Sequence, residues 1–349
     1  VKNVHIFNYT PHHFRALVTF FKNIDKNAEF YVFKHNSIYS LNSTSLQVEN
    51  LPHKLDLSHG DIRFILVHGL WDVRLWLYIF QTKIYRNIVW VAWGADIYLQ
   101  SKTISNKLKN LIFKFFKFIC IKHFRAIIAL NAGDAKVIWK LTKHNEIKVI
   151  PYPLDPNVES LAENSQRRSS GKDASIKILL GNSGAVTNNH IGILKKLARF
   201  NNQKIEIICP LSYGGDEGYV HEVVALGNKI FGEKFKPLLK VMDQNDYFSL
   251  LQDIDILIFD HSRQQGLFNI YYFLLSRKKI YINEHSSTYT EFKSKGIELG
   301  RTSELSASSL GELTKYDEVQ LLTNYNIFRA SYSEAILSDS WKDFLNELD

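Results

Sequence analysis

The sequence has little cysteine, little acid in its first half and no long apolar run. Two cysteines in 349 residues, Cys120 and Cys209, exclude a disulfide framework and a cysteine-built metal cluster. Both sit in apolar runs and read as buried thiols kept reduced. No stretch of 18 uncharged residues occurs, which excludes a transmembrane helix. The opening VKNVHIFNYT alternates as a strand and lacks the form of a signal peptide. No His/Cys cluster has ligand spacing. Asp253 and Asp255 form an Asp-x-Asp, but it precedes its strand, whereas a ligand site would follow one. No metal and no other cofactor are therefore expected.

The shortage of acid is local. Residues 1–150 hold 21 Lys and Arg against 9 Asp and Glu, and residues 151–349 hold 22 against 26. Basic charge confined to one half points to an anionic partner for that half. A nucleic-acid groove would interleave stacking aromatics with its cations. Here the lysines concentrate on one segment, so no nucleic-acid partner is expected and an anionic membrane surface is. In the helical stretch SNKLKNLIFKFFKFICIKHFR, Leu108, Leu111, Ile112, Phe115, Phe116 and Ile119 share one face and read as a core stripe. Lys107, Lys109, Lys114 and Lys117, with Phe113 among them, are then left for the lipid side. A peripheral position on the cytoplasmic face of a membrane follows.

The rest of the chain alternates apolar strands with amphipathic helices, twice over. Unbroken apolar strands such as IRFILVHG and IDILIFDHS indicate parallel sheets covered on both faces. The polar, Pro/Ser/Gly-containing stretch 154–175 reads as a linker. The expected organisation is an α/β protein: an N-terminal domain at 1–153, the linker, a C-terminal domain at 176–324, and an amphipathic tail at about 325–349 that packs back on the first. Two doubly wound domains place their ligands at strand carboxyl ends, facing a shared cleft.

Chemistry concentrates at those strand ends. In IKILLGNSGAVTNNHIGILKKL, residues 176–197, Gly181, Asn182, Ser183 and Gly184 form a turn between strand and helix. Either it is a plain glycine turn or it offers backbone N–H groups to a phosphate, with Asn188 or Asn189 capping the next helix. At the matching junction FDHSRQQG, Arg263 could grip a diphosphate through two donors, with Gln264 and Gln265 donating to phosphate or sugar oxygens; the alternative is an ion pair of Arg263 with Asp260. In the first half, His12 and His13 lie where the first strand meets the first helix, a place suited to a general base. Asp96 in WGADIY could be a base, orient a histidine or hold a sugar. Trp93 and Gly94, with His68 and Gly69 in LVHGLWD, sit at comparable strand ends on the acceptor side.

The segments PHHFRALVTFF, HGLWDVRLWL, WGADIY, GNSGAVTNNHI, PLSYGGDEGYVHEV and RQQG together resemble the bacterial 4-acetamidofucosyltransferase family, over about residues 11–275. The resemblance implies a glycosyltransferase-B fold. It implies a nucleoside diphosphate sugar donor held by the C-terminal domain and a polyprenyl-diphosphate-linked acceptor met by the N-terminal one. By position it places Gly181–Gly184, Asn189, His190, Tyr213 and Arg263–Gly266 in donor motifs, and His12, His13 and Asp96 in acceptor-side motifs. Two departures fall by the expected donor site. Ala185 stands where the family carries an acid, and Phe268 where it often has a small residue. They leave the donor sugar open. A nucleotide-sugar epimerase of the same two-domain build is the alternative enzyme class.

Overall fold

The computed structural model describes residues 2–8, 11–34, 37–40, 61–70, 72–94, 96–97, 107–153, 156–163, 175–262 and 264–348; for 11–16, 34, 37–40, 107–110, 156–157, 163 and 244 only the backbone is described. The chain forms two compact units. The first comprises Val1–Pro153 with Glu334–Asp349, the second Leu154–Ser333.

The first unit is built on β1 (Lys2–Asn8), β2 (Glu29–Lys34), β3 (Ser37–Ser40), β4 (Ile62–His68), β5 (Ile88–Ala92), β6 (Ala126–Ala129) and β7 (Ile147–Val149), in the spatial order β3-β2-β1-β4-β5-β6-β7. All pairings are parallel except β3 on β2. Strand order reverses at β1/β4, and such a switch point opens a crevice at the carboxyl ends of the two strands. One sheet face buries Val4, Ile65, Trp76, Trp90 and Ile127. The other buries Phe7, Phe21, Leu66, Val91 and Ile128, and there the helix Glu334–Glu347 contributes Trp341, Phe344 and Leu345. Trp341 meets Phe21 edge-on at 5.0 Å and stacks on Tyr152, while its Nε1 donates to the Pro151 carbonyl at 3.0 Å.

The second unit carries β8 (Ile176–Leu180), β9 (Ile205–Pro210), β10 (Phe235–Leu238), β11 (Ile256–Phe259), β12 (Lys279–Ile282) and β13 (Gly300–Arg301), all parallel, in the order β10-β9-β8-β11-β12-β13. Its switch point lies at β8/β11. The stretch read as linker is in part structured: Pro156–Glu163 is a helix with Val158 and Ala162 buried, packed on the helix Leu267–Leu275. Glu159 there also pairs with Arg329 at 2.9 Å. The polar composition of 154–175 hid the few apolar positions that dock it.

Candidate active site

At the switch point of the second unit, the loops after β8, β9 and β11 lock together through glycines. Gly181 has φ +71°, and a Cβ there would lie 2.5 Å from His190 Nε2. A Cβ on Gly215 would lie 2.4 Å from the Gly184 carbonyl oxygen, so these two loops touch backbone to backbone. Gly184 N–H donates to the Tyr213 carbonyl at 2.8 Å. Gly266, at φ +65°, lies against Phe259 and Asn182. Only glycine tolerates such approach together with a left-handed backbone.

Amides tie the loops further. Gln265 Nε2 donates to Asn182 Oδ1 at 3.2 Å, and its Oε1 accepts from Thr187 Oγ1 at 2.8 Å. Buried Asn188 donates to the Ser183 carbonyl at 2.9 Å and accepts from Asn182 N at 3.4 Å. Exposed Tyr213 accepts from Asn182 Nδ2 at 3.5 Å. Capping departs from expectation. Asn189 is the N-cap of His190–Leu197 but makes no side-chain cap bond, because its φ of +52° turns the amide to Asp260 Oδ2 at 2.6 Å. Asp260 also accepts from Thr302 Oγ1. Arg263 lies outside the described residues, and Gln264 is buried beside it.

His190 is enclosed beneath this loop, and burial pushes its pKa down to about 4. Its backbone N–H donates to Tyr219 Oη at 3.1 Å, and Nδ1 lies 3.2 Å from the same oxygen. Tyr219 Oη can give its hydrogen to Nδ1 or accept a second one from it, so this contact fits either ring tautomer. Nε2 has no hydrogen-bond partner among the described residues, and it lies against Gly181.

The switch point of the first unit gathers the acceptor-side residues. Asn8, ending β1, donates to the carbonyls of His68 and Gly69. Gly69 and Gly94 turn the chain out of β4 and β5 with φ of +72° and +82°. The backbone of His12 and His13 lies in the first turn of the helix Pro11–Ile24, at the carboxyl end of β1; their side chains lie outside the described residues. His68 is fully buried: Nε2 is 3.0 Å from His5 Nδ1, and Nδ1 is 2.5 Å from Tyr152 Oη. Trp93 Nε1 donates to the same Tyr152 oxygen at 2.6 Å.

Asp96 is wholly enclosed. Oδ2 accepts from Leu70 N (2.8 Å) and Trp90 Nε1 (2.7 Å), and Oδ1 accepts from Trp93 N (2.8 Å). Burial raises its pKa against these bonds and the nearby Lys117. Lys117 Nζ donates to the Asp96 carbonyl at 3.1 Å and lies over the rings of Trp76 and Trp90. Burial draws its pKa down to about 8. Among the described residues, no group of three or more His, Cys, Asp or Glu side chains is placed to hold a metal ion.

Residues 2–299 match the family described as 4-alpha-L-fucosyltransferase, glycosyl transferase group 56. The chain belongs to that family. It is a glycosyltransferase, and the epimerase alternative falls away. Among solved structures, this group 56 transferase resembles a glycosyltransferase from Rickettsia africae (TM-score 0.67, 10% identity, 99% of this chain and 98% of that one). It also resembles a lipopolysaccharide outer core galactosyltransferase (0.63, 11%, 99% and 99%). A trehalose-phosphate synthase from Burkholderia xenovorans, solved with glucose-6-phosphate, matches over less of its length (0.59, 10%, 83% and 74%). At such identities the likeness shows the fold, glycosyltransferase-B.

The transferase corrects the reading of its lysine-rich helix, Lys107–Lys122. Phe113 is not on the solvent side; it is buried with Cys120 and Ile121 in the core. Lys117 is not on that side either, since Asp96 and two indoles hold it inward. Three of the residues expected in the core stripe face outward instead: Leu111, Ile112 and Phe115 are 65%, 45% and 62% exposed, joined by Phe118 at 40%, while Phe116 and Ile119 are half-buried. Lys114 and Lys122 flank it, exposed. Lys107 and Lys109 belong to the helix, but their side chains lie outside the described residues. A helix apolar on most sides has no unique 3.6-residue stripe, and here the side that turns in is the one where Lys117 bonds the Asp96 backbone carbonyl and lies over two indoles. Sequence reading also passed over Tyr152, Tyr219 and Gly215. The glycine doublet Gly214–Gly215 after β9 was the one visible signal among them.

Proposed function

We propose that this transferase moves a deoxyamino sugar of the N-acetylfucosamine kind from a nucleoside diphosphate to a polyprenyl-diphosphate-linked glycan, as a step in bacterial surface polysaccharide synthesis. The observation that carries the donor half is the glycine junction, where the loops after β8 and β9 meet backbone to backbone, the loop after β11 packs its glycine on Asn182, and the His190 ring lies against Gly181, all at a sheet switch point. Backbone N–H groups in such a place suit a diphosphate. Arg263, from the adjoining junction, is assigned to the same phosphates. Donors of this kind can carry the charge of the departing diphosphate, so metal-independent transfer is part of the proposal. On the acceptor side His13, or its neighbour His12, is assigned as the base, and Asp96 as the group that holds the surrounding loops.

The test is to incubate the protein with a panel of nucleotide sugars and a membrane lipid extract, with and without EDTA. Sugar should appear on lipid in both conditions. Isomerised nucleotide sugar, or no reaction with any donor, would overturn the proposal; activity lost in EDTA and restored by magnesium would overturn its metal-free part.

The acceptor's lipid requires a membrane surface, and the outer face of Lys107–Lys122 suits one: four large apolar side chains beside lysines, with no acid on the helix. Each lysine near an anionic surface contributes about 1 kcal/mol, weakened by salt. Leu111→Ser, Phe115→Ser and Phe118→Ser together should abolish co-sedimentation with phosphatidylglycerol vesicles while leaving nucleotide binding intact. Lys114→Glu with Lys122→Glu should shift binding in a salt-dependent way. Sedimentation unaltered by the triple change would remove this face from the proposal.

A further inference from the structure

His5 and His68 lie on β1 and β4, the two strands of the first unit's switch point, and both are fully buried among the rings of Phe7, Phe21 and Phe30. Burial keeps both neutral, so each ring carries one hydrogen. The contacts His5 Nδ1···His68 Nε2 and His68 Nδ1···Tyr152 Oη then form a chain with two possible directions. If Tyr152 donated inward, His68 would donate from Nε2 to His5 Nδ1. His5 Nε2 would then carry a hydrogen, and that buried atom has no partner among the described residues. A buried orphan donor is the costlier defect. In the outward direction His5 Nδ1–H donates to His68, His68 Nδ1–H donates to Tyr152, and only a bare lone pair stays on His5.

The outward direction has a consequence at the end of the chain. Tyr152 Oη then accepts two N–H bonds, from His68 Nδ1 and from the indole of Trp93. Both phenol lone pairs are used, and its own hydrogen has no acceptor among the described residues. Bonds accepted by a hydroxyl also polarise it, making it a better donor. We infer that Tyr152 is a positioning residue whose hydroxyl donates to an oxygen of the acceptor substrate, with the His5–His68 pair fixing the direction of that donation. The assignment of acceptor rather than donor rests on the reading of the first unit given above. The mark of the arrangement in sequence is a histidine in each of two adjacent buried strands, where an aliphatic residue would pack as well.

Two measurements test it, and the first is independent of any activity. In protein labelled with nitrogen-15 histidine, with His5→Gln and His68→Gln used to assign the signals, both rings should show the Nδ1–H tautomer and stay neutral between pH 6 and 8. A His68 ring protonated at Nε2 would overturn the inference, whatever the enzyme transfers. In the second, Tyr152→Phe keeps the ring on Trp341 and removes only the hydroxyl. At saturating donor, the amount of lipid extract giving half-maximal rate should rise about tenfold, the loss of one well-aligned hydrogen bond. The maximal rate and the affinity for the free nucleoside diphosphate should stay within twofold. Unchanged half-saturation, or an equal loss in nucleotide affinity, would overturn the assignment. If Tyr152→Phe lowers the melting temperature, Trp93→Phe supplies the comparison, since removing one of the two donors into the phenol should move half-saturation in the same direction by less.

Discussion

Asp96→Ala is expected to cost the first unit about 3–5 kcal/mol of stability, because three N–H groups would lose a buried acceptor, at about 1–3 kcal/mol each before relaxation. The carboxylate satisfies three N–H groups, those of Leu70, Trp93 and the Trp90 indole, which bring the loops after β4 and β5 together. Its loss also leaves Lys117 as a partly buried cation with the Asp96 backbone carbonyl and two indole faces for company. Asp96→Asn should cost less, but it cannot be neutral, because one carboxylate oxygen becomes an NH₂ that faces an N–H. Urea unfolding followed by tryptophan fluorescence measures both, since all six tryptophans lie within 1–153 and 334–349. If Asp96→Asn instead kept full stability and lost turnover alone, Asp96 would be the base and its assignment as a loop-holding group would fail.

Acid should destabilise the protein well before its carboxylates titrate. His5, His68 and His190 are held neutral by burial: His5 is pushed down to about 3, His190 to about 4, and His68 well below its ordinary value, with His5 adding to the effect. All three pKa values are lower folded than unfolded. The unfolded chain therefore binds more protons below about pH 6.5, and stability is full above that pH and falls as pH drops towards the folded values. Each ring contributes about 1.4 kcal/mol per pH unit, or about 2 kcal/mol between pH 6.5 and 5. Two of the rings belong to the first unit and one to the second. The first should thus lose about 4 kcal/mol and the second about 2 by pH 5, a large fraction of the stability of a typical domain. Tryptophan fluorescence follows the first unit and amide exchange the second. Stability that stays flat from pH 6.5 to 5 in the first unit would contradict the neutral, buried histidine pair, and with it the direction of the Tyr152 bond.

How far the molecule was legible in its residues depended on how local each signal was. Strands such as IRFILVHG announce themselves, because a parallel strand buried on both faces needs an unbroken apolar run. β3 (SIYS) and β10 (FKPL) gave no such run; they are short strands at the ends of their sheets, with one neighbour each. The glycine loop at Gly181–Gly184 was visible as a turn, but not the reason for its glycines, which is the approach of His190 and Gly215 from elsewhere in the chain. Asp96 was visible as a polar residue after a strand. Its three donors come from Leu70, Trp90 and Trp93, and no spacing rule reveals that they surround it. The lysine-rich helix failed for the same reason: Lys117 turns inward to a backbone carbonyl 21 residues earlier and to the indoles of Trp76 and Trp90. Tyr152 carried no local signal at all, since its partners are 59 and 84 residues away.

The return of the chain's final helix to the first unit bears on how the protein is made. A ribosome releases the first 153 residues with all seven strands of their sheet present, yet Trp341, Phe344 and Leu345 belong to that sheet's core. At roughly 5–20 residues per second, those side chains emerge about 10–40 s later, after the whole second unit has been synthesised. During that interval the pocket around Phe21 and Tyr152 stands open and apolar. The second unit, whose residues are continuous in the chain, can close first. The first unit therefore completes its core only once the whole of the second has been synthesised.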